Sequence, residues 1–185
     1  MNSENTAKLW ETFPLLYSGR QLSTRESLIP FGFSCGDGWF DLIWELSEKL
    51  ERLIEKFIEE HPDSCECEHS RAEHTEGKCV VILSLAGKYG FEDDVPCKCS
   101  KFQVWHPKAT QVKEKFGSMR YYLSATDQMY ELAREAEAKS ATICEECGKP
   151  GSLRGIGWYN TLCDEHAVDK SGKEIPVTPD DAWDH

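Results

Sequence analysis

The segment CEECGKPGSLRGIGWYNTLCDEH, residues 144–166, carries four side chains that can bind one metal ion. Two residues separate Cys144 from Cys147, fifteen separate Cys147 from Cys163, and two separate Cys163 from His166. Two intervening residues let both side chains of a tight turn reach one ion, and three sulfurs with one imidazole favour zinc. A complete set of four ligands leaves no open coordination position, so the spacing predicts a structural zinc site.

The residues between these ligands predict how the finger folds. Gly148 follows the second cysteine, where glycine permits the positive φ angle that a metal knuckle needs. The spacer fits a short hairpin around Leu153 to Thr161, and the last two ligands share one face at the start of a helix. We therefore expect residues 141–168 to form a treble-clef or zinc-ribbon-like finger.

Upstream of the finger, alternating apolar and polar residues over 109–124 predict a β-hairpin. Gly117-Ser118 fits a Gly-first, type II′ turn, which would pair Phe116 with Met119. One face of this hairpin is mostly apolar. The opposite face carries the candidate anion contacts Lys113, Lys115, Arg120 and Tyr122. These side chains suit a phosphate and a base of nucleic acid, and the alternative is an ordinary solvated face.

Two further segments have helical periodicity. Asp37 is a candidate N-cap, and from there to about Glu60 apolar residues recur in steps of three and four, with charged residues on the other face. This pattern predicts an amphipathic helix of about six turns. Thr126 precedes a second helix at roughly 127–139. The expected fold class is α+β, with the long amphipathic helix packed on a small antiparallel sheet and the C-terminal finger docked on it.

The net charge is −12, from 33 acidic and 21 basic residues. Residues 41–76 have a local net charge of −8, whereas residues 101–123 have +4. This acidic balance argues against non-specific binding to nucleic acid or anionic membranes. The acidic stretch is either a solvated helix face or a docking surface. A membrane span and a signal peptide are not expected, so the predicted location is cytoplasmic.

The chain has nine cysteines. An odd number without a secretion signal disfavours a full disulfide framework. Two Cys-x-Cys pairs predict a candidate second zinc site, since residues i and i+2 of a strand point to one side. Its ligands would be Cys65, Cys67, Cys97 and Cys99, with His69, His74, Cys79 and His106 as substitutes. The alternatives are free thiols in a polar loop or a redox pair. Cys35 is expected to be a buried small hydrophobe.

These observations divide the chain into three parts. Residues 1–140 form an α+β body with a Cys/His-rich insertion at about 62–100. Residues 141–168 form the zinc finger, and residues 169–185 form a tail that is expected to be loosely ordered because it has no periodicity.

Three segments together resemble a family of small bacteriophage and prophage proteins. They are FGFSCGDGWFDLI at 31–43, QVKEKFG at 111–117 followed by RYY at 120–122, and CEECGKPG at 144–151 ending in TLCDEH at 161–166. The resemblance covers roughly residues 28–60 and 110–167, whereas residues 62–100 look like an insertion. It implies a phage-encoded protein of the host cytoplasm with a C-terminal zinc finger, and it implies no particular activity.

Three functions are compatible with these features. The first is a non-enzymatic zinc-binding interaction protein whose acidic surface inhibits a host defence system, as an anti-CRISPR or anti-restriction protein. Its partner would be a host protein or a protein–nucleic-acid complex. The second is a nucleic-acid-binding regulator that uses the finger and the basic hairpin. The third is a metal-dependent nuclease or hydrolase, for which the candidate acidic and lysine residues are Asp37, Asp41, Glu114, Lys113 and Lys115.

Overall fold

A computed structural model describes residues 1–63 and 105–179, with the backbone of four two-residue strands between them. The described elements are, in chain order, α1 (Ser3–Thr12), α2 (Phe40–Glu60), β1 (His74–Thr75), β2 (Lys78–Cys79), β3 (Ile82–Leu83), β4 (Val95–Pro96), β5 (Lys108–Lys115), β6 (Ser118–Ser124), α3 (Asp127–Ser140), β7 (Ser152–Arg154) and β8 (Asn160–Leu162). The strands form two-stranded antiparallel sheets, so the fold class is α+β.

The chain divides into two compact units. The first comprises Met1–Leu53 and Pro107–His185, and the second comprises Ile54–His106. In the second unit, β1 pairs with β2 and β3 pairs with β4. The ring of Phe57 stacks on His61 with centroids 4.2 Å apart and meets Trp105 edge-on at 5.2 Å. None of the helices in residues 1–63 and 105–179 combines the length and the hydrophobicity that a membrane span requires.

The start of α2 differs from the sequence prediction. Residues Asp37–Trp39 form a 3-10 turn, so the α-helix begins at Phe40 and Asp37 is not its N-cap. The Asp37 carboxylate instead accepts hydrogen bonds from the Asn2 N–H, at 2.9 Å, and from Asn5 Nδ2, at 3.0 Å. These two hydrogen bonds lower the pKa of Asp37. Asp37 therefore ties the first turn of α1 to the segment before α2.

Helix α2 buries one face along its first three turns. The buried apolar side chains of these turns are Leu42, Ile43, Leu46 and Leu50. Glu51, which the sequence assigns to the charged face, is only 8% exposed. Its carboxylate accepts hydrogen bonds from the backbone N–H groups of Leu15, at 2.9 Å, and Leu16, at 2.8 Å. The negative charge of Glu51 thus has hydrogen-bond donors in the loop after α1, which offsets the cost of burying it.

The β5–β6 turn lies one residue earlier than expected, so the cross-strand pairs shift by two residues and Glu114 pairs with Met119 where Tyr121 was expected. Lys115 pairs with Ser118, so the two-residue turn is Phe116-Gly117, with φ angles of 55° and 77°. Two positive φ angles are typical of a type I′ turn, not the expected type II′ turn. Glu114 supports this geometry because its carboxylate accepts the Gly117 N–H at 2.7 Å. As a result, Phe116 lies at the exposed tip and does not pair with Met119.

Both edges of this hairpin are hydrogen-bonded to other segments. On the β6 side, α3 supplies Ser140 Oγ to the Met119 N–H, at 2.8 Å, and the Glu137 carboxylate to the Tyr121 N–H, at 2.6 Å. On the β5 side, the Ser34 N–H donates to the Val112 carbonyl at 3.0 Å. Covered edges leave few unpaired backbone groups that could recruit another strand.

A buried hydroxyl cluster connects the hairpin to α2. The Tyr17 hydroxyl hydrogen-bonds to Ser47 Oγ, at 2.6 Å, and to the Tyr121 hydroxyl, at 2.7 Å. Burial raises the pKa of both tyrosines, so both rings stay neutral at ordinary pH. The three hydroxyls satisfy one another where unpaired polar atoms would be costly.

Candidate metal centre

The structure brings the four predicted ligands near the C-terminus together. The sulfur atoms of Cys144, Cys147 and Cys163 and a ring nitrogen of His166 all lie within 4.8 Å of one another. The two sulfurs of Cys147 and Cys163 are 3.7 Å apart. His166 Nδ1 lies 3.6 Å from the Cys144 sulfur and 3.3 Å from the Cys163 sulfur.

These distances fit a tetrahedral ion. Zinc–sulfur bonds of about 2.3 Å and zinc–nitrogen bonds of about 2.0 Å place two sulfurs about 3.8 Å apart, and a sulfur and a nitrogen about 3.5 Å apart. The donor set also has the soft sulfur and imidazole character of structural metal sites. The chemistry and the geometry of the four side chains are therefore compatible with a metal site.

Local backbone geometry positions these ligands. The Cys144 N–H donates to the Lys149 carbonyl at 2.8 Å, and the Gly148 N–H donates to the Cys144 carbonyl at 2.9 Å. Gly148 has a φ of 77°, as a knuckle glycine should. The spacer forms the expected hairpin, since β7 pairs with β8. After Cys163, the chain makes a single 3-10 turn that ends at His166, where the sequence suggested the start of a helix.

Burial and hydrogen bonding differ among the cysteines. Cys144 and Cys163 are buried, whereas Cys147 is exposed. Burial raises the pKa of Cys144, but hydrogen bonds from the backbone N–H groups of Cys163, Cys147 and Glu146 outweigh it and lower the pKa below its usual value. A lowered pKa favours the thiolate, which is the form that binds metal.

The turn at residues 144–148, which we call the knuckle, packs against the Gly36-Asp37-Gly38 segment that precedes α2. The Gly38 N–H donates to the Glu145 carbonyl at 2.7 Å, and the Gly36 N–H donates to the Glu145 carboxylate at 2.8 Å. A Cβ atom on Gly38 would lie only 2.2 Å from the Cys144 carbonyl oxygen and 2.5 Å from the Gly148 nitrogen. Only glycine permits this close approach of the two backbones. The segment that looks like a simple helix breaker in the sequence is therefore the surface against which the knuckle packs.

The finger has a second contact with the body, at the β5–β6 turn. The Thr161 hydroxyl donates to the Gly117 carbonyl at 2.6 Å in a buried hydrogen bond. On the other side of the same residue, the Glu145 N–H donates to the Thr161 carbonyl at 2.9 Å. Thr161 therefore connects the β7–β8 hairpin both to the β5–β6 turn and to the knuckle.

Arg154 fixes the chain after the finger. Its side chain is 5% exposed and donates to the carbonyls of Leu162, at 3.3 Å, and Ile175, at 3.2 Å, while also pairing with Asp164. The Thr178 N–H donates to the Leu153 carbonyl at 2.9 Å. The described part of the tail, 169–179, thus pairs with β7, in contrast to the loose segment that the sequence suggested.

The four candidate anion contacts share one face of the β5–β6 hairpin. Lys113 lies opposite Arg120, and its Nζ is 5.3 Å from the centre of the Tyr122 ring. Lys115 is two residues further along the strand, with Nζ 5.1 Å from the Phe116 ring. Alternation along the strands puts these side chains on the face away from the buried Met119 and Tyr121.

The other predicted candidates are not brought together in this way. Within residues 1–63 and 105–179, Asp37, Asp41 and Glu114 do not form a cluster that could hold a metal ion. The second candidate zinc site, Cys65, Cys67, Cys97 and Cys99, lies outside the described residues. Of its substitute ligands, only His106 has a described side chain, and it is buried.

Sequence reasoning misses the roles of two residues in the finger, Glu145 and Trp158. In the ligand spacing, Glu145 only separates Cys144 from Cys147. In the structure, its carbonyl and its carboxylate accept hydrogen bonds from Gly38 and Gly36. Trp158 falls within the hairpin in the sequence pattern, yet it is 76% exposed at the tip. The Gly155-Ile-Gly-Trp158 sequence is the available signal, since flanking glycines often accompany a tight turn that projects side chains outward.

Comparison of this chain with protein-family models, with curated proteins and with solved structures found no match.

Proposed function

We propose that this protein is a non-enzymatic, zinc-binding interaction protein in which zinc holds the finger on the α+β body. The observation that carries this proposal is the closed set of four ligand atoms within 4.8 Å of one another. Four protein ligands leave no site for water or substrate, which disfavours the alternative of a nuclease or hydrolase at this centre. The contact of Gly38 with Glu145 and that of Thr161 with Gly117 join the finger to the body, which supports a scaffolding role.

The proposed finger is treble-clef-like: a knuckle and a terminal turn supply two ligands each, on either side of a short hairpin. The proposed body has the long helix α2 packed on the β5–β6 sheet. The hydrogen bonds of Tyr17 to Ser47 and to Tyr121 support this packing, because they bring α2 and β6 to the same buried side chain.

Metal analysis of the purified protein tests the identity and number of ions. We expect one zinc per chain at the finger, and a second only if the cluster at 65–99 also binds. Cys144→Ser removes the finger zinc, whereas Cys65→Ser removes only a second ion. Material that contains no zinc, or that binds iron or copper in its place, contradicts the proposal.

The proposed partner is a component of a host defence system, as in an anti-CRISPR or anti-restriction protein. Support comes from the acidic face of α2, where Asp41, Glu45 and Glu48 are exposed. An acidic protein surface competes with nucleic acid for a basic channel. A location in the host cytoplasm belongs to this proposal, as does the phage origin that the resemblance implies.

Affinity capture from infected cells tests this partner class. Binding through α2 should be lost at about 0.5 M salt, where the screening length falls to roughly 4 Å. The double variant Glu45→Lys and Glu48→Lys should also release the partner. Glu11→Lys with Glu131→Lys makes the same change in charge elsewhere and should retain it. Capture that survives both salt and charge reversal on α2 counts against the acidic surface.

A second candidate function is nucleic-acid binding, and one specific observation favours it. Lys113, Lys115, Arg120 and Tyr122 lie on one solvent-facing side of the β5–β6 hairpin, as a surface for phosphates and a base requires. A gel shift at low salt tests this candidate, and a chain that retards no nucleic acid removes it.

A further inference from the structure

The β5–β6 turn and the tip of the finger enclose a cleft of about 300 Å³. The cleft is lined by Glu114, Lys115, Phe116, Gly157, Trp158 and Tyr159. Trp158 is 76% exposed and Phe116 is 57% exposed, although both are large apolar side chains. Exposed aromatic groups on both sides of one cleft are costly in water and often mark a binding site.

A line of positive charge leads away from this cleft along the hairpin. Lys115 lines the cleft itself, and Lys113 and Arg120 lie opposite each other further along the same face. Side chains two residues apart in a strand are separated by about 7 Å, which is close to the spacing of successive phosphates in an extended single strand. Tyr122 lies beside Lys113 at the far end of this line.

We propose that the cleft binds single-stranded nucleic acid, with one base stacked between Phe116 and Trp158 and the following phosphates on Lys115, Lys113 and Arg120. This inference rests on the second candidate function and adds the base-binding residues to it. Flat aromatic rings beside basic side chains are the usual means by which proteins hold single strands without reading their sequence.

The charge pattern favours this occupant over two others. In a duplex the faces of the bases are already stacked on each other, so an aromatic cleft cannot receive them. An apolar peptide would fill the cleft but would leave the positive charge of the adjoining hairpin face without an anionic counterpart. The net charge of −12 weakens long-range attraction to nucleic acid, so we expect modest affinity that depends strongly on salt.

The metal centre is linked to the cleft indirectly, because the finger supplies one of the two walls. One wall belongs to the β5–β6 turn and the other to the β7–β8 loop, and the buried hydrogen bond from Thr161 to Gly117 joins the two walls. Removal of the metal should therefore weaken binding even though no cleft residue is a ligand.

Fluorescence anisotropy of labelled oligonucleotides tests the proposal with the zinc-loaded full chain. Single strands of about 12 nucleotides of mixed sequence, as DNA and as RNA, are compared with a duplex of the same sequence. Both single strands should bind more tightly than the duplex. The affinity should fall with salt with a logarithmic slope of about −2, as expected for three phosphate contacts. A preference for RNA over DNA would indicate a contact to the 2′-hydroxyl.

Paired variants locate the site. Trp158→Ala and Phe116→Ala should each weaken binding about 5- to 100-fold, the usual range for losing one stacked base. Phe31→Ala is the matched control, since Phe31 is 72% exposed on the same unit but lies outside the cleft, and it should bind like the parent protein. Lys113→Gln should reduce the salt slope, and Lys113→Arg should restore it. Zinc content and melting temperature are measured for every variant to show that it is folded.

Three results overturn the inference. They are equal affinity for duplex and single strands, unchanged affinity in folded Trp158→Ala and Phe116→Ala proteins, and salt-independent binding of a labelled apolar peptide at the cleft. None of these results affects the zinc content or the capture of a partner by the acidic face of α2. Nucleic-acid binding that persists unchanged in the folded Trp158→Ala and Phe116→Ala proteins would overturn this inference and leave the second candidate function in place, so the two failures are distinguishable.

Discussion

The two hairpins of the first unit are stabilised in different ways. The β5–β6 hairpin has strands of eight and seven residues and buries Ala109, Val112, Met119 and Tyr121. The β7–β8 hairpin has strands of three residues, and its buried cluster consists of Cys144, Leu162 and Cys163 with Ile175 packed against it. Two of these four side chains are candidate metal ligands. We therefore expect the long hairpin to rely on apolar burial and the short one to need metal–ligand bonds that compensate for its small core.

The largest expected effect comes from removing a finger ligand. Cys144→Ser should abolish zinc binding and unfold at least residues 144–166, because structural zinc contributes on the order of 10 kcal/mol to folding of a small finger. The β5–β6 hairpin should retain protected amides, since apolar burial stabilises it. Metal analysis and hydrogen exchange measure the two effects.

Cys35→Ala is the matched control for this variant. Cys35 is a buried cysteine outside the cluster, so its loss should leave the zinc content unchanged. Full zinc content in the Cys144→Ser protein would falsify the assignment of the finger.

A smaller loss of stability is expected from a substitution at Gly38, against which the knuckle packs. Gly38→Ala places a Cβ atom 2.2 Å from the Cys144 carbonyl oxygen, which the backbone must move to avoid. We expect the free energy of unfolding to fall by about 1–3 kcal/mol while zinc remains bound. Chemical denaturation with metal analysis measures both quantities.

Gly157→Ala provides the comparison for Gly38→Ala. Gly157 has a φ of 78°, but a Cβ atom added to it would meet no atom within 4 Å, so only the strain of its φ angle contributes. Its cost should be about 1 kcal/mol. Equal or smaller destabilisation at Gly38 would argue that the finger does not rest on this segment.

The hydrogen bond between Thr161 and Gly117, which joins the two hairpins, should contribute less to the free energy of unfolding than the packing at Gly38. Thr161→Val removes the donor to the Gly117 carbonyl, with an expected loss of about 1–2 kcal/mol in the free energy of unfolding. Thr142→Val is the control, because the Thr142 hydroxyl donates to the Lys139 carbonyl at an exposed position and water can replace it. If both variants lose the same stability, the two hairpins are not coupled through Thr161.

The smallest effect should be seen at Cys35 in the body. Burial raises the pKa of Cys35 to about 12, so its thiol stays protonated at pH 8 and should resist alkylation in the folded protein. Because folding favours the protonated thiol, its contribution to stability is complete below pH 9 and is lost as the pH rises towards 12. Mass spectrometry after iodoacetamide treatment identifies the modified cysteines.

The finger cysteines should behave differently in the same experiment. They should react only after zinc is removed with a chelator, whereas Cys35 should react only after denaturation. Rapid alkylation of Cys35 in the folded, zinc-bound chain would show that it is accessible and contradict its burial.

Local patterns in the sequence are sufficient for several features of the site. The spacing of Cys144, Cys147, Cys163 and His166 is enough to predict which side chains meet, because two-residue gaps and a short hairpin leave the backbone few alternatives. Strand alternation similarly predicts that Lys113 and Arg120 share a face. The turn between β5 and β6 lies one residue earlier than the pattern predicts, because the Glu114 carboxylate stabilises a turn that begins with a non-glycine residue.

Features that depend on residues far apart in the chain are not predictable from such patterns. Glu51 looks like one more exposed acid of α2, and its burial follows only from the two backbone N–H groups that another segment brings to it. Gly38 looks like a helix breaker, although its closest contacts are with Cys144 and Gly148, which are more than a hundred residues away in the chain.

The sequence by itself determined the candidate metal ligands and the chemical character of each face, because bond geometry and side-chain period act over a few residues. Only the tertiary structure decided where the knuckle rests, which acid is buried and that Phe116 and Trp158 border one cleft. Those outcomes depend on close approach between distant backbones, which packing and hydrogen bonding across the whole unit select.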